Sequence, residues 1–328
     1  MRPFDYERAE DPAGAVAALR RHGAGARYLG GGTNLVDLMK LGVETPDALV
    51  DVSRLPLREI EERPDGGLRI GASVRNSELA AHRAVRERYP LLSLALLSGA
   101  SGQLRNLATV GGNLLQRTRC SYFQDVTKPC NKRNPGSGCP AIEGEHRNLA
   151  IIGHSDACVA THPSDMAVAL VALDAEVEVQ GVAGTRTIPL RFFHRLPENE
   201  PQRDTVLEPG DLITAVELPP LAFAGTSTYR KVRDRAAFSF AVVSVAAALD
   251  VADGLVRDCR LALGGVAHVP WRAATAEQAL RGKPATEESF AAAAGAELEQ
   301  ARPLRDNGFK VPLARAVIVR TLMELCDS

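Results

Sequence analysis

Along the chain the spacing of apolar residues switches repeatedly between the helical and the strand period, and each switch marks an element. "DPAGAVAALRRHG" begins on Asp11 and Pro12, closes on Gly23 and predicts a helix from about Pro12 to His22. "ARYLGGGTNLVDLMKLG" reads as strand, glycine turn and helix, and "ALVDVS" as a short apolar strand, so the N-terminal segment predicts a small βαβ-like unit. "GLRIGASV" reads as a strand, "RNSELAAHRAVRERYPLLSLALLSGAS" as helices parted near Pro90, and "ATVGGNLLQ" as a strand around a glycine pair. An irregular, cysteine-bearing stretch follows, then "NLAIIGH" as a strand and "HPSDMAVALVAL" as a helix capped by Ser164 or Asp165. "AEVEVQGVAGTRTIPL" predicts a hairpin and "DLITAVELPP" one more strand.

Pro219, Pro220 and the Gly225–Thr226 region place a candidate boundary near residue 222. Beyond it the pattern is strands first ("TSTYRKVRDR", "FAVVSVAAALDVADG", "VRDCRLALGGVAHVPWRA"), then helices at about 273–301 and 312–326. That is an α+β tail. No internal repeat and no low-complexity tract interrupts the pattern.

Composition narrows the function classes. The 328 residues are 45% apolar and 24% charged, enough for a large core and consistent with two domains. A net charge of −1 gives no electrostatic case for nucleic acid or an anionic membrane, and 5% aromatic residues give none for a stacking platform. The start "MRPFDYERAEDPAGAV" lacks the apolar core and cleavage site of a signal peptide, and no run of eighteen apolar residues would span a membrane. The expectation is a chain that leaves the cytoplasm only if a partner carries it.

Candidate chemistry sits first in two glycine loops. "YLGGGTNLVDL" places Gly30, Gly31 and Gly32 between a strand and a helix, where backbone N–H groups approach an anion closely and the helix start favours it. It is neither G-x-G-x-x-G nor a Walker loop, which disfavours a Rossmann NAD site. Read alone it could be only a tight turn. "TVGGNL", from Thr109 to Leu114, has the same properties and could be only a β-bulge. Together, eighty residues apart, the loops suggest an extended dinucleotide held from two sides.

The second candidate is "CSYFQDVTKPCNKRNPGSGCP". Cys120, Cys130, Cys139 and the later Cys158 have the spacing C-x9-C-x8-C-x18-C, whereas Cys259 and Cys326 read as lone thiols. Four thiolates are the ligand count of a structural zinc or of an iron–sulfur cluster. The short C-x2–4-C knuckles usual for zinc are absent, and Pro129, Pro135, Gly136, Gly138 and Pro140 suit a loop wrapped around a bulky centre. Lys128, Lys132 and Arg133 could offset thiolate charge or simply be solvated; His154 and His162 are alternative ligands.

The order Gly30–Thr33, "TVGGN", "PSDMAVAL" resembles the FAD-binding subunits of molybdenum hydroxylases, the xanthine dehydrogenase and aldehyde oxidase relatives, over essentially the whole chain. "GASGQLRN", "NLLQRTRC", "PCNKRNPGSGC" and "YRKVRDRA" resemble, within that family, the flavin subunits of bacterial periplasmic aldehyde oxidoreductases. The resemblance implies an α+β fold. A two-subdomain FAD-binding domain of the vanillyl-alcohol-oxidase/PCMH type would cover 1–221, split at about 58/59. A small C-terminal domain of a three-stranded sheet plus helices would cover 222–328. It implies that Leu29, Gly30, Gly31, Gly32, Thr33, Asn34 and Leu35 wrap the FAD diphosphate, with Thr109, Gly111, Gly112 and Asn113 from the second loop. Asp165 would contact the flavin's sugar-like chain, although it could be only a helix cap. Ile213, Lys231 and Phe240 would lie near the ring, with Lys231 favouring the anionic reduced flavin; bottom-up, Ile213 could be core and Lys231 a solvated charge.

The same resemblance implies a [4Fe–4S] cluster on Cys120, Cys130, Cys139 and Cys158, in an insertion at about 115–162, as in the related benzoyl-CoA-type reductases. It implies a large molybdenum-cofactor subunit that oxidises an aldehyde, a small subunit with two [2Fe–2S] clusters, a heterotrimer, and an external electron acceptor. No residue of this chain is assigned as a catalytic acid, base or nucleophile. The location implied is the periplasm, reached by co-export with a signal-bearing partner. The rival readings are a stand-alone flavin oxidase and a zinc-stabilised scaffold.

Overall fold

The computed structural model describes residues 1–327 and contains three sheets. The N-terminal unit is a parallel sheet in which Ala48–Asp51 lies between Asp5–Arg8 and Ala26–Leu29. Its helix, Pro12–His22, starts on Asp11, whose carboxylate accepts from Gly14 N, and stops at Gly23, which sits at φ 79°. Both ends therefore follow from residues the sequence supplies.

The second unit is a five-stranded antiparallel sheet, Ile60–Glu62, Leu68–Gly71, Leu212–Leu218, Glu176–Gly181 and Gly184–Pro189 in spatial order. Helices Pro90–Ser98 and Asp165–Ala172 share one continuous core with this sheet. All eight residues of Asp165–Ala172 are buried. A helix apolar on every side belongs inside, and this one carries its single charge, Asp165, on its first turn.

The C-terminal sheet has four strands, Trp271–Arg272, Leu255–Gly264, Val243–Ala252 and Ser227–Val232, where three were expected. The additional strand is two residues long, too short to leave a hydrophobic period. Strand Val243–Ala252 is buried on both faces. Ala246 and Ala248 pack into the core of the five-stranded sheet, while Val243, Val245, Ala247 and Leu249 meet helices Ala274–Leu280, Glu287–Leu298 and Lys310–Cys326. Small side chains on one face and branched ones on the other let this strand lie between two layers.

Two segments read as strands are not strands. Val110–Leu114 is a short helix, not a strand. The run around Ile151 forms no named strand; it makes only a bridge, Ile152 to Ala267, with Ile151 N and Ile152 N both donating to Val266 O. The cysteine-bearing segment has a small core of its own, in which Cys120, Cys130 and Cys158 pack with Leu38, Phe123, Ala141 and Leu149.

Candidate functional site

Gly30–Asn34 links strand Ala26–Leu29 to helix Leu35–Lys40. The backbone N–H groups from Gly31 to Leu35 donate to no other group of the described chain. Five successive free donors at a helix start form an anion cradle. Gly32 takes φ 73°, a conformation that glycine adopts without strain. A Cβ on Gly31 would overlap the Leu107 carbonyl, and one on Gly30 would lie 3.1 Å from Thr109 Oγ1, so the two glycine loops touch here. Asn34 Oδ1 accepts from Arg117 N at 2.9 Å, whereas its buried Nδ2 has no partner.

The second loop is built differently. Thr109 caps the helix, accepting from Gly112 N at 3.2 Å. Val110 N donates to Val74 O, Gly111 N to Ala72 O and Asn113 N to Thr109 O. Its donors are therefore largely satisfied within the chain. A Cβ on Gly111 would lie 3.1 Å from Ala72 Cβ and 3.7 Å from Ile213 Cβ, both inside the core. Gly111 is glycine for packing, and the expectation of two equivalent anion cradles is corrected: the open donors belong to the first loop. Gly31→Ala is expected to push Leu107 away and lower affinity for the FAD that the sequence resemblance implies by about tenfold, ~1.4 kcal/mol. Flavin content after dialysis at fixed free FAD checks it; content equal to wild type would contradict it.

Ser164, joined to Asn113 by its Oγ donating to Asn113 Oδ1 at 2.5 Å, caps the helix that Asp165 opens. Asp165 Oδ1 accepts from Tyr229 OH at 2.6 Å and Oδ2 from Lys231 Nζ at 2.8 Å. Lys231 also donates to Ser98 O at 3.1 Å. Side-chain exposure is 9% for Asp165 and 3% for Lys231, so this is a buried ion pair. Burial and the adjacent carboxylate push the Tyr229 hydroxyl well above its ordinary pKa, so it remains a donor. Lys231 is not a solvated charge, and its positive charge is balanced by Asp165. Phe240 is half exposed, but its ring lines a cleft with Asp165, His162 and Ser244, and the Arg119 guanidinium lies 5.0 Å above it. Loop, carboxylate, Ile213, Lys231 and Phe240 thus belong to one contiguous region.

Cys120, Cys130, Cys139 and Cys158 line one chamber, and none is in a disulfide. Among the described residues no three His, Cys, Asp or Glu side chains converge as a single metal ion requires. Burial raises the pKa of the Cys120, Cys139 and Cys158 thiols, the last to about 12. Opposing it, backbone N–H groups of Tyr122 and Phe123 favour the Cys120 thiolate, those of Val159, Ala141 and Ile142 the Cys139 thiolate, and that of Ala160, with the Lys132 charge, the Cys158 thiolate. Lys132 is buried and pairs with Asp204, which also takes Arg117 Nε at 2.8 Å. Arg133 instead holds the carbonyls of Tyr122, Phe123 and Lys128, and Lys128 is exposed. Neither His154, bonded to Arg302 O, nor His162 lines the chamber.

Comparison with known proteins decides the family. Residues 2–221 match the FAD binding domain in molybdopterin dehydrogenase, and residues 227–325 the CO dehydrogenase flavoprotein C-terminal domain. The chain is an FAD-binding medium subunit of the molybdenum hydroxylase family. It is 52% identical to the aldehyde oxidoreductase FAD-binding subunit PaoB of Escherichia coli K12, over 99% of this chain and 98% of the relative. It is 28% identical to the glyceraldehyde dehydrogenase medium chain of Sulfolobus acidocaldarius, over 85% and 82%. A solved carbon monoxide dehydrogenase of Hydrogenophaga pseudoflava superposes with a TM-score of 0.77 at 26% identity, covering 100% of this chain and 99% of that one. Quinoline 2-oxidoreductase of Pseudomonas putida 86, at 22% identity and a TM-score of 0.76, shares the fold.

The residues fit FAD. The five free N–H groups and the unpartnered Asn34 amide offer donors to a diphosphate. The Asp165 oxygens, each with one short donor, retain lone pairs for a polyol. Sequence reasoning did not single out Tyr229, although it stands inside the quoted "YRKVRDRA". It also missed Asp204, which carried no local signal, and Ala100, held at φ 52° beside the Ser98 carbonyl that Lys231 uses.

Proposed function

We propose that the chain is the electron-transfer subunit of an aldehyde-oxidising molybdenum hydroxylase. One observation carries the reading: the 52% identity with the aldehyde oxidoreductase FAD-binding subunit runs through almost the whole chain, the cysteine-bearing segment included. In this reading a large molybdenum-cofactor subunit oxidises the aldehyde to the acid, and a small subunit with two [2Fe–2S] clusters relays the electrons. The flavin, when bound, accepts them and reduces an external acceptor. This chain's residues bind and orient: Gly31–Leu35 hold the diphosphate, Asn113 and Ser164 fix the second glycine loop against the helix that Asp165 opens, and Asp165 with Lys231 and Tyr229 sets a neutral polar floor.

The second cofactor proposed is a [4Fe–4S] cluster on Cys120, Cys130, Cys139 and Cys158. The matched family descriptions name FAD alone, so this part rests on the chamber. Four thiols line it, and backbone N–H groups favour the thiolate form of three of them, the ligand count an iron–sulfur cluster needs being four. An absorption spectrum of the purified subunit tests both cofactors. Flavin bands with a broad brown shoulder are expected, flavin alone would leave the oxidase reading, and a colourless protein would leave the scaffold. Acid precipitation is expected to release the flavin, and a yellow pellet would show a covalent link.

We propose the periplasm as its location, with export of the folded complex carried by a signal-bearing partner. Cell fractions are expected to show the lone chain in the cytoplasm and the co-expressed chain in the periplasm. Periplasmic recovery of the lone chain would rule out carriage by the partner.

A further inference from the structure

Between the cysteine chamber and the cleft beside Asp165 lies a cavity of about 140 Å³, large enough for several waters. His162, His194 and His268 line it together with Asp204 and Arg117. Thr118 lines both this cavity and the cysteine chamber, and His162 lines both this cavity and the Asp165 cleft. A charged link also joins chamber and cavity: Lys132 lines the chamber, and its Nζ pairs with Asp204 on the cavity wall.

Hydrogen bonds fix the ring tautomers. His194 Nε2 is 2.9 Å from Leu114 O, and His268 Nδ1 is 3.0 Å from Arg195 O. A carbonyl only accepts, so these nitrogens carry the hydrogens and the neutral rings present bare nitrogens at His194 Nδ1 and His268 Nε2. His162 is the reverse. Its Nδ1 accepts from Ser164 N at 3.3 Å, leaving a hydrogen on Nε2. His162 Nε2 and His194 Nδ1, a donor and an acceptor, are both buried without a partner, on rings whose centroids are 4.3 Å apart.

Burial holds His194 and His268 neutral, with pKa values lowered to about 4, and Lys132 lowers that of His268 further while Asp204 raises both. The charges facing the pair are the anion Asp204 and the cations Lys132 and Arg117, which between them satisfy Asp204 and leave no anion spare for an imidazolium. A new negative charge in the chamber next door would change that balance.

We propose that this cavity is a redox-linked proton site: when the cysteine-held centre gains an electron, one proton enters and binds His194 Nδ1 or His268 Nε2. The inference rests on the cluster reading above. The balance is one electron from a one-electron reductant of the iron–sulfur or dithionite class, taken up by the centre, and one proton from solvent, taken up by imidazole; no bond to the centre forms or breaks.

The test is a potentiometric titration of the purified complex, with the reduced cluster followed by electron paramagnetic resonance across pH. The wild-type midpoint is expected to fall by about 59 mV per pH unit, tenfold in proton activity at one electron. His194→Gln with His268→Gln is expected to flatten that slope at unchanged iron and FAD content. A wild-type cluster signal with a pH-independent midpoint overturns the proposal while leaving the cluster in place, as does a slope that survives the double substitution. Absence of any cluster signal overturns the cluster reading and the proposal with it. If the double variant fails to assemble its cluster, His194→Gln and His268→Gln are read singly, and a slope unchanged in both overturns the assignment.

Discussion

Serine in place of any one of Cys120, Cys130, Cys139 or Cys158 is expected to remove most of the iron, about four atoms per wild-type chain. The same change at Cys259 or Cys326 is expected to leave iron per folded chain unchanged. The contrast lies in the surroundings of each sulfur. Cys158 and Cys259 are both buried, and burial pushes both thiols up to about 12. Cys158, however, has the Lys132 charge and the Ala160 N–H to favour its thiolate. At Cys259 the strongest charges are the anions Glu277 and Asp258, and its Sγ donates to Glu277 O at 3.8 Å. One sulfur is prepared to lose its proton to a metal and the other to keep it. Three of the four chamber cysteines also belong to the small core of their segment, so losing the centre is expected to expose that segment to protease as well. Metal analysis and limited proteolysis read both effects. Zinc in place of iron, or equal iron in all six variants, would remove the cluster from the account.

What the sequence disclosed, and what it hid, follows the range of each interaction. The helix Pro12–His22 was legible because its cap, proline and terminal glycine are local. The four cysteines were legible as a set because thiols are rare in the chain. The second glycine loop was misread because Gly111 and Gly112 argue against helix by propensity. What makes it a helical turn is the Thr109 cap and backbone bonds to Val74 O and Ala72 O, more than thirty residues away. The Ile151 run misled in the opposite sense. It is apolar because two cores meet on it, not because it joins a sheet. Asp204 was invisible: its partners Lys132 and Arg117 are 72 and 87 residues distant, and nothing in its own neighbourhood distinguishes it from a surface acid. Lys231 was visible, but as a free cation, since the sequence does not show that Asp165 lies 2.8 Å from it.

Asp165→Ala is expected to cost about 3–5 kcal/mol of stability and to abolish flavin binding, because it leaves the buried Lys231 ammonium without its counter-charge. Lys231→Met is expected to cost less, since Asp165 keeps the Tyr229 hydroxyl as a donor at 2.6 Å. The informative variant carries Asp165→Asn and Lys231→Met together. It removes both charges, and the amide can still accept from Tyr229, so its stability loss is expected to fall below the sum of the losses of Asp165→Asn and Lys231→Met measured singly. Denaturant unfolding of the three chains gives that comparison, with additive losses showing that the ion pair is not coupled in the folded protein. Flavin content separates the second role. If Asp165 serves only to neutralise Lys231, the double variant regains FAD. If its oxygens also accept from the flavin's polyol chain, as their remaining lone pairs allow, the double variant is stable and still poor in flavin, because an amide offers one acceptor oxygen where the carboxylate offers two. The latter is the expected outcome. Tyr229 and Lys231 each take one oxygen of Asp165 from the C-terminal domain's first strand, and the polyol would meet the same group from the side of the glycine loops.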